Sequence, residues 1–558
     1  MLVYIVVYLT LVYLEANVRQ ARGLGVPVVR LPVDVNNLLW ILVQPHVWKV
    51  LDRLPVPWSA YPTCVRYARR GWYMPARAEA HVRLGPVWAL VTPVQICVHV
   101  ADPDAILDMV TRRGDFQRPG PELKLLELYG PCISTASWEE WPRHRKPVAT
   151  PFNETLRQAQ VMLAFWTAKS EDGGGIPSYQ ADTQMLSLNV LASIGFGSHY
   201  DFRGSDEPAV DGEIGDYRDS LMTVLDNIIL LMLVPFHVLT KLPGKYAWIG
   251  NAGIAFKKHL IKLLGDETAA LNEGRPSSGA IMPSFVRAAE RHHREQPSSS
   301  SISSGDGKTT AKARGLSAEE IFGDLFVIDF AGHDSTANMS AFAILLLAAH
   351  PDVQAWVAEE VEHATREYAA VEDWDYKTLY PRLKRCRAVV YETLRLYPPV
   401  PALPSVTRNH PQSLRVGDRT LTVPVGINFA VNLRAVQTHP DFWSDADEWR
   451  PSRWIASPET AGPRSAGEEE LITPSKTVFI PWGEGPQACP GRKVAEVEEV
   501  AVLACLLKSH RLAIKKKYDG ESEEAVYKRF EKCVNDVDCE MLVRLRDGDQ
   551  ITLTCTKA

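Results

Sequence analysis

The stretch FIPWGEGPQACPGRK, residues 479–493, decides how the rest of the chain is interpreted. It places Cys489 in a loop rich in glycine and proline, directly before a helical pattern from Val494 to about Lys508. Glycines let a backbone turn tightly and lie close against a flat ligand, because no Cβ intervenes. Backbone N–H groups at a helix start stabilise a thiolate, and a thiolate is a strong axial donor to a haem iron. The stretch therefore predicts a haem-ligating cysteine.

A cysteine buried in a glycine-rich turn is the alternative interpretation, but here a complete pattern is present. The loop resembles the haem-binding loop of the cytochrome P-450 family, Phe-Gly-x-Gly-x-Arg-x-Cys-x-Gly. The family positions fall on Trp482, Gly483, Gly485, Gln487, Cys489 and Gly491. Trp482 replaces the usual phenylalanine and keeps an aromatic ring beside the sulfur, whereas Gln487 replaces the usual arginine, a charge partner of a haem propionate. The resemblance implies that these residues bind haem b, with Cys489 as the axial ligand of its iron.

The overall composition is that of an ordinary globular protein. The chain has 558 residues, of which 46% are hydrophobic and 23% charged, so a large core can form. Its net charge of −6 gives no reason to expect nucleic-acid binding. The nine cysteines include no Cys-x-x-Cys pair, so neither a zinc knuckle nor a disulfide framework is indicated. These features favour a reduced, cytosol-facing protein.

The N-terminal segment MLVYIVVYLTLVYL, residues 1–14, carries no charged side chain. At ~1.5 Å per residue such a helix spans roughly 21 Å, which is short of the ~30 Å hydrocarbon core. No basic region precedes it and no small-residue cleavage site follows, so a cleaved signal peptide is not indicated. Three arginines follow at positions 19, 22 and 30, which places the remainder on the cytosolic side by the positive-inside rule.

Two domains are predicted from this pattern. Residues 1–45 are interpreted as a membrane anchor and linker in the endoplasmic reticulum, and residues 46–558 as the catalytic domain. The alternative for the first segment is a chain start that lacks its true N-terminus. Residues 296–315 are rich in serine, glycine and lysine without apolar periodicity, which predicts a disordered insertion.

The resemblance implies a mainly α fold with a small β-rich lobe, and the pattern of residues 61–110 predicts a small sheet beside helices. Residues 87–91 and 96–100 read as strands, and a long apolar helix is predicted from Ile321 to about His350. Ser317 and Glu320 form the capping box that starts this helix. Near the C-terminus, alternation around Asp547-Gly548 predicts a β-hairpin.

A polar segment interrupts the middle of the predicted long helix. It resembles the Ala-Gly-x-Asp-Thr-Thr segment of the family and falls on Ala331, Gly332, Asp334, Ser335 and Thr336. A buried carboxylate is costly and needs partners, so Asp334 indicates a function or a salt bridge. The resemblance implies that the two small residues make room for haem and dioxygen, and that the acid and the hydroxyl groups deliver protons. A kink softened by hydroxyl side chains is the structural alternative.

Two further patterns carry the family resemblance. Trp141 and Arg145 are four positions apart, on one helix face, and match the family pair that reaches a haem propionate. A solvated basic helix face is the alternative. Glu392 and Arg395 are three apart on a helix that ends at two prolines. The resemblance implies that Arg453 completes a buried triad with them behind the haem loop.

A second position departs from the family as Gln487 does. Many relatives carry arginine or lysine near Ser405 for the second propionate, and Ser405 cannot take that role, although Arg408 is close in the sequence. Two basic partners of the cofactor are therefore absent from their usual places. This observation predicts weakened haem binding.

The resemblance implies a monooxygenase that uses O2 to oxidise a small hydrophobic substrate. The sequence of the loop is most like that of fungal members, so a role in secondary metabolism is expected by analogy. Electrons would come from a separate NADPH-dependent flavoprotein reductase, which would dock on a basic face containing Arg145, Arg492 and Lys493. The alternatives are a haem-thiolate isomerase, dehydratase or ring-forming oxidase, and an inactive haem-binding homologue. Asp334 argues against the first group, because its proton relay would be idle there.

Overall fold

A computed structural model of the protein describes residues 2–145, 151–204, 217–276, 279, 281–295, 315–456, 469–473, 475–539 and 541–558. Except for Gly315, the insertion predicted at residues 296–315 lies outside these ranges and stays a prediction. The statements below concern the described residues.

Helices make up most of the described structure. In chain order they are α1 (Leu2–Arg22), α2 (Leu38–Leu51), α3 (Thr63–Arg66), α4 (Tyr73–Ala76), α5 (Glu79–Leu84), α6 (Pro103–Thr111), α7 (Gly120–Leu123), α8 (Trp141–His144), α9 (Phe152–Glu171), α10 (Tyr179–Phe196), α11 (Tyr217–Asp226), α12 (Ile228–Leu233), α13 (Phe236–Leu239), α14 (Lys245–Asn272), α15 (Met282–Glu295), α16 (Ala318–Ala349), α17 (Pro351–Thr365), α18 (Tyr376–Leu379), α19 (Lys384–Leu396), α20 (Leu433–Val436), α21 (Arg492–Leu507) and α22 (Glu523–Asn535).

The strands are short and fewer than the helices. They are β1 (Val28–Arg30), β2 (Val87–Val91), β3 (Ile96–Val100), β4 (Phe116–Gln117), β5 (Ala402–Thr407), β6 (Gln412–Val416), β7 (Arg419–Val423), β8 (Asn428–Asn432), β9 (His510–Ile514), β10 (Val537–Asp538), β11 (Arg544–Leu545) and β12 (Leu553–Lys557). The prediction of a mainly α fold with a small β-rich lobe is confirmed.

One mixed sheet forms the β-rich lobe, with strand order β1-β2-β3-β8-β5-β4. The strands predicted at residues 87–91 and 96–100 are present as the antiparallel pair β2 and β3. β8 runs parallel to β3 and antiparallel to β5, which carries Ser405. β4 closes the other edge and brings the segment around Phe116 beside β5. The sheet thereby joins residues near position 115 to residues near position 405.

The first helix has two different halves. From Leu14 onward its apolar side chains, Val18 among them, are buried against the sheet, whereas Tyr4, Tyr8 and Tyr13 are exposed. No single helix in the described ranges has both the length and the apolar composition needed to cross a membrane. Residue 45, where the predicted anchor and linker end, falls inside α2, and the division of the chain at that point stays a prediction.

The long helix α16 forms the centre of the molecule. Its predicted capping box is confirmed, since Ser317 accepts from the backbone N–H of Glu320 at 3.2 Å and the Glu320 carboxylate accepts from that of Ser317 at 2.8 Å. Nearly all of its apolar side chains are buried, and it packs on α10, α19 and α21. The helix therefore carries its polar middle segment into the interior.

The predicted C-terminal hairpin around Asp547-Gly548 is wrong. β10 pairs with β11, and β12 pairs instead with β9, while Gly548 starts a short 3-10 helix that ends at Gln550. A Cβ on Gly548 would lie 2.3 Å from Oε1 of Gln180, so this turn packs directly on α10. The alternation in the sequence is real, but the two apolar runs find their partners elsewhere.

Candidate functional site

Cys489 lies in the loop that immediately precedes α21. Its backbone N–H donates to the carbonyl oxygen of Trp482 at 2.8 Å, which closes the loop. Its Sγ accepts hydrogen bonds from the backbone N–H groups of Gly491 and Arg492. Burial raises the pKa of the Cys489 thiol, and these two N–H groups and two nearby guanidinium groups oppose that rise. Cys489 is exposed as a residue, and no disulfide occupies its thiol.

The turn before the cysteine requires glycine at position 485. Gly485 has a φ of +76°, a conformation that side chains with a Cβ rarely adopt. A Cβ there would lie 2.2 Å from the carbonyl oxygen of Val110, at the end of α6. The loop therefore packs backbone to backbone on the β-rich lobe.

Trp141 and Arg145 lie against this loop. The structure ends α8 at His144, so Arg145 has extended backbone and is not the helical residue that the sequence predicted. Its guanidinium nevertheless lies 5.3 Å from the centroid of the Trp141 ring, and its Nη1 donates to the carbonyl oxygen of Pro486. The predicted pair is therefore brought together beside Cys489, with Trp141 buried and Arg145 exposed.

A polar network fixes α8 on the first turns of α16. His144 Nδ1 lies 2.8 Å from Oδ2 of Asp324, and Arg143 Nη2 donates to Oε1 of Glu320 at 2.8 Å. Burial raises the pKa of Asp324, and its hydrogen bond with His144 opposes that rise. Through these contacts the position of Trp141 and Arg145 depends on the central helix.

The polar segment of α16 has one accessible side. Ala331 and Gly332 are exposed in a helix that is otherwise mostly buried. The Ser335 hydroxyl donates to the carbonyl oxygen of Ala331 at 2.6 Å, and the Thr336 hydroxyl donates to that of Gly332 at 2.9 Å. Thr336 is buried, whereas Ser335 is half-buried. A Cβ on Gly332 would meet Leu191 at 3.3 Å, so part of the space that this glycine provides is used by α10.

Asp334 is held by two amides. Its Oδ1 accepts from Nδ2 of Asn338 at 3.2 Å and from Nε2 of Gln184 at 3.4 Å. A second acid of α16, Asp329, is fully buried, and burial raises its pKa to about 8. It therefore carries a proton at neutral pH. Sequence reasoning missed Asp329, although it is an acid within an apolar helical run.

Glu392, Arg395 and Arg453 form a buried ion cluster. Arg395 donates through Nε and Nη2 to the two carboxylate oxygens of Glu392, both at 2.9 Å. Arg453 Nε donates to Oε1 of Glu392 at 2.8 Å, and Trp454 Nε1 donates to Oε2 at 3.0 Å. The structure thus brings all three predicted residues together, at 0% side-chain exposure for Glu392 and Arg395.

Two arginines that sequence reasoning missed contact the two departures from the family pattern. Arg113 Nη1 donates to Oγ of Ser405 at 3.0 Å. Arg118 Nη2 donates to the backbone carbonyl of Gln487 at 3.3 Å. These pairs are 292 and 369 positions apart in the sequence, so no local pattern could have revealed them. Arg408, the alternative partner considered for Ser405, is exposed and lines a separate recess with Asp34 and Gln95.

The arrangement fits a haem. It offers one sulfur donor supported by backbone N–H groups, and aromatic rings at Trp141 and Trp482. It also offers several guanidinium groups suited to carboxylates. Nε of Arg113 is buried and has no hydrogen-bond partner among the described residues, as expected where a donor serves an anionic ligand. The roles of the individual residues in binding and catalysis stay predictions.

Comparisons with known proteins agree with this geometry. The family model for cytochrome P-450 matches residues 55–527. A cytochrome P-450 monooxygenase of Arthrobotrys oligospora is 25% identical over 527 residues, covering 90% of this chain and 88% of that protein. A phomenoic acid biosynthesis cluster cytochrome P-450 monooxygenase of Leptosphaeria maculans is 25% identical over 547 residues, covering 88% of this chain and 87% of that protein.

The fold has a solved counterpart. A crystal structure of a cytochrome P-450 superimposes with a TM-score of 0.60 at 17% identity, covering 86% of this chain and 93% of that chain. The family match extends over most of the sequence and includes the Cys489 loop. The chain therefore belongs to the cytochrome P-450 family, and it is an oxidoreductase of the monooxygenase type.

Proposed function

We propose that this protein is a haem-thiolate monooxygenase that oxidises a small apolar substrate with O2 and with electrons from a separate NADPH-dependent flavoprotein reductase. The observation that carries the proposal is the environment of Cys489. Burial raises the pKa of the Cys489 thiol, and the backbone N–H groups of Gly491 and Arg492 and the cations of Arg118 and Arg145 oppose that rise. Each of these groups favours the charged form of the sulfur, which is the form that binds iron.

Several residues of the chain would hold the cofactor. Cys489 would bind the iron, and Trp141 with Arg145 would contact a propionate. The ring of Trp482 would lie beside the sulfur, held in turn by the Arg492 guanidinium 4.9 Å from its centroid. When bound, haem supplies an iron that activates oxygen and accepts electrons.

The proton path is assigned to Asp334 and Ser335. The carboxylate of Asp334 is oriented by the amides of Asn338 and Gln184, so it can hold a proton at a fixed position. The Ser335 hydroxyl lies on the accessible side of α16, next to Ala331. It can pass a proton onward by turning away from the Ala331 carbonyl. Thr336 is buried and serves as the second choice for this role.

The choice of substrate and pathway is supported by relatives. One similar protein is named for the phomenoic acid biosynthesis cluster of a fungus, and two others are monooxygenases of Penicillium species. We infer that the substrate is an apolar compound of fungal secondary metabolism. An apolar substrate also suits α16, whose long apolar faces extend on both sides of Ala331.

A membrane location with a docked reductase completes the proposal. In support of the membrane, the first half of α1 exposes Tyr4, Tyr8 and Tyr13, and α2 exposes Leu39 and Val50. Exposed large apolar side chains in such number on two helices support a contact with a membrane or a protein. We place the protein at the endoplasmic reticulum membrane, with the catalytic domain facing the cytosol.

The proposed docking site of the reductase is the basic face beside the Cys489 loop. Arg145 is exposed there, and the side chain of Arg492 is 43% exposed although it pairs with Glu484 at 3.5 Å. Lys493 lies over the ring of Tyr380 at 3.9 Å. A basic surface next to the cysteine suits an acidic electron donor.

The experiment that tests the proposal is the carbon monoxide difference spectrum of the reduced, purified protein. A thiolate ligand gives the long-wavelength Soret band typical of the family, and Cys489→Ser should abolish it. Cys64→Ser, which changes an exposed cysteine, should leave it unchanged. A short-wavelength band in the parent protein would contradict the thiolate assignment. Product formation that requires NADPH and a reductase would exclude the isomerase alternative.

A further inference from the structure

The two places where this chain lacks the usual basic residues are each contacted by an arginine, of which Arg113 is buried and Arg118 is half-buried. Arg113 reaches Ser405 from the end of α6, and the two residues are 5% and 1% exposed. Arg118 follows β4 and spans two segments, with Nη1 donating to the carbonyl of Ile133 at 2.8 Å and Nη2 donating to that of Gln487 at 3.3 Å. The positive charge is therefore supplied by different elements of the chain and not lost.

Neither arginine has a carboxylate partner. Within the described ranges, the ion pairs of the molecule include neither Arg113 nor Arg118. The charge of Arg118 acts on Arg113, and the thiols of Cys132 and Cys489 act on Arg118. A guanidinium carries its charge at all physiological pH values and cannot neutralise itself by losing a proton. A buried cation beside a half-buried one, without an acid, is costly unless an anion binds them.

Unused donors point in the same direction. Arg113 makes a hydrogen bond through Nη1, but its Nε is buried without a partner among the described residues. Buried N–H groups are nearly always paired in folded proteins, so an unpaired one next to a second cation marks a place for a ligand. The ligand must bring acceptor oxygens and negative charge.

We propose that Arg113 and Arg118 form a dicarboxylate site that replaces the basic residues absent at Ser405 and Gln487, and that its ligand is the pair of propionates at the edge of the haem. The inference rests on the proposed function, because it takes haem as the cofactor. It reverses the prediction of weakened haem binding. Arg145, which is exposed over Trp141, is left as an outer contact.

Binding of two porphyrins by the full chain, purified without haem, separates the possibilities. The probes are iron protoporphyrin IX and its dimethyl ester, which has the same ring and iron but no carboxylates. The parent protein should bind the free acid about 100-fold more tightly than the ester, since charge-assisted hydrogen bonds are lost with the ester. Arg113→Met and Arg118→Met should each reduce that preference about tenfold, and the double variant should abolish it.

Two control variants accompany this titration. Arg408→Met removes a cation close to Ser405 in the sequence but exposed in another recess, and it should leave the preference unchanged. Arg113→Lys keeps the charge and should retain most of the preference. The melting temperatures of the haem-free parent and variants are compared to exclude misfolding. Removal of a cation that has no acidic partner should leave the melting temperature unchanged or raise it.

Each outcome decides the matter. If the parent binds both porphyrins equally well, or if the double variant keeps the preference, the dicarboxylate site is refuted while haem binding stands. If the parent binds neither porphyrin, the proposed function and this inference fall together. A melting temperature that drops in both methionine variants would show that the two arginines serve the fold and would overturn the inference.

Discussion

Arg395 and Arg113 are both buried arginines, yet their surroundings differ in every respect. Arg395 donates to both oxygens of Glu392 and to the backbone carbonyls of Gln437, Ala446 and Glu448. Arg113 has one hydrogen-bond partner, the Ser405 hydroxyl, among the described residues. The first guanidinium is paired by the protein itself, whereas the second has donors left for a ligand. Burial alone therefore does not tell a structural arginine from a binding one, but the count of acceptors around it does.

The same contrast extends to buried acids. Glu392 accepts hydrogen bonds from several donors, including the backbone N–H of Arg450 at 2.8 Å. Among the described residues only the Tyr217 side chain opposes the effect of burial on Asp329, and burial raises the pKa of this acid to about 8. An isolated buried acid can neutralise itself, but an isolated arginine cannot. For this reason an unpaired arginine is the stronger indication of a ligand.

The largest effect should come from disrupting the buried ion cluster around Arg395. Glu392→Gln leaves Arg395 and Arg453 buried without a carboxylate and, in either orientation, turns its own NH2 group toward a donor. We expect a loss of about 3 to 5 kcal/mol in the free energy of unfolding, measured by denaturant titration. Glu359→Gln removes a carboxylate that pairs with Arg385 but is 67% exposed, and it should cost less than about 1 kcal/mol. Equal costs would contradict the argument.

A second test compares an available hydroxyl with a buried one in α16. Ser335→Ala should lower the fraction of electrons that end in product about 100-fold, the lower end of the range for lost proton transfer. Thr336→Ala should change it little, because Thr336 is 4% exposed. Product and NADPH consumption, measured together, check this. The reverse order of effects would move the proton path to Thr336.

The third test measures how the pH dependence of stability depends on Asp329. The folded-state pKa of Asp329, about 8, exceeds that of the unfolded chain, so the folded state holds this proton more tightly. The contribution of Asp329 to the free energy of unfolding should be greatest below about pH 4 and fall as pH rises toward 8, by roughly 2 kcal/mol or more. Asp329→Asn should remove that slope in unfolding experiments at several pH values. Asp352→Asn, at an exposed position, should keep it.

The smallest effect is expected at Arg145, which is exposed and has no ion pair with an acid among the described residues. Arg145→Met removes a cation–π contact with Trp141 and a hydrogen bond to Pro486. At an exposed site such a contact is worth about 1 kcal/mol at most, so haem affinity should fall less than about fivefold. Haem titration measures this loss beside that of Arg118→Met. A larger loss at Arg145 would reverse the proposed order of the cationic contacts.

Local signals in the sequence were sufficient for much of the molecule. The capping box of Ser317 and Glu320 depends on residues three apart, and the helix it starts follows from its apolar run. β2 and β3 are apolar runs rich in β-branched residues. The Cys489 loop and the Glu392–Arg395 pair are likewise short patterns. Each of these features is determined within one or two turns of chain, where periodicity and capping act.

Features that depend on distant segments could not be predicted. Arg113 and Arg118 meet Ser405 and Gln487 only because the sheet places β4 beside β5 and the Cys489 loop packs on α6. Nothing around either arginine distinguishes it from a surface cation. The hairpin predicted at Asp547 failed for the same reason, since β9 supplies the partner of β12 from a remote part of the chain.

The parallel pairing of β1 with β2 sets a limit on how the protein can be shortened. Laboratories commonly remove an apolar N-terminal segment to obtain protein without detergent. Here the pairing of Val28 with Ala89 and Arg30 with Val91 covers one edge of β2, and the second half of α1 covers the adjacent face. Deletion through residue 45 would uncover both and leave an apolar strand edge open to aggregation. Deletion that stops before Leu14 keeps the lobe intact and removes the exposed tyrosines.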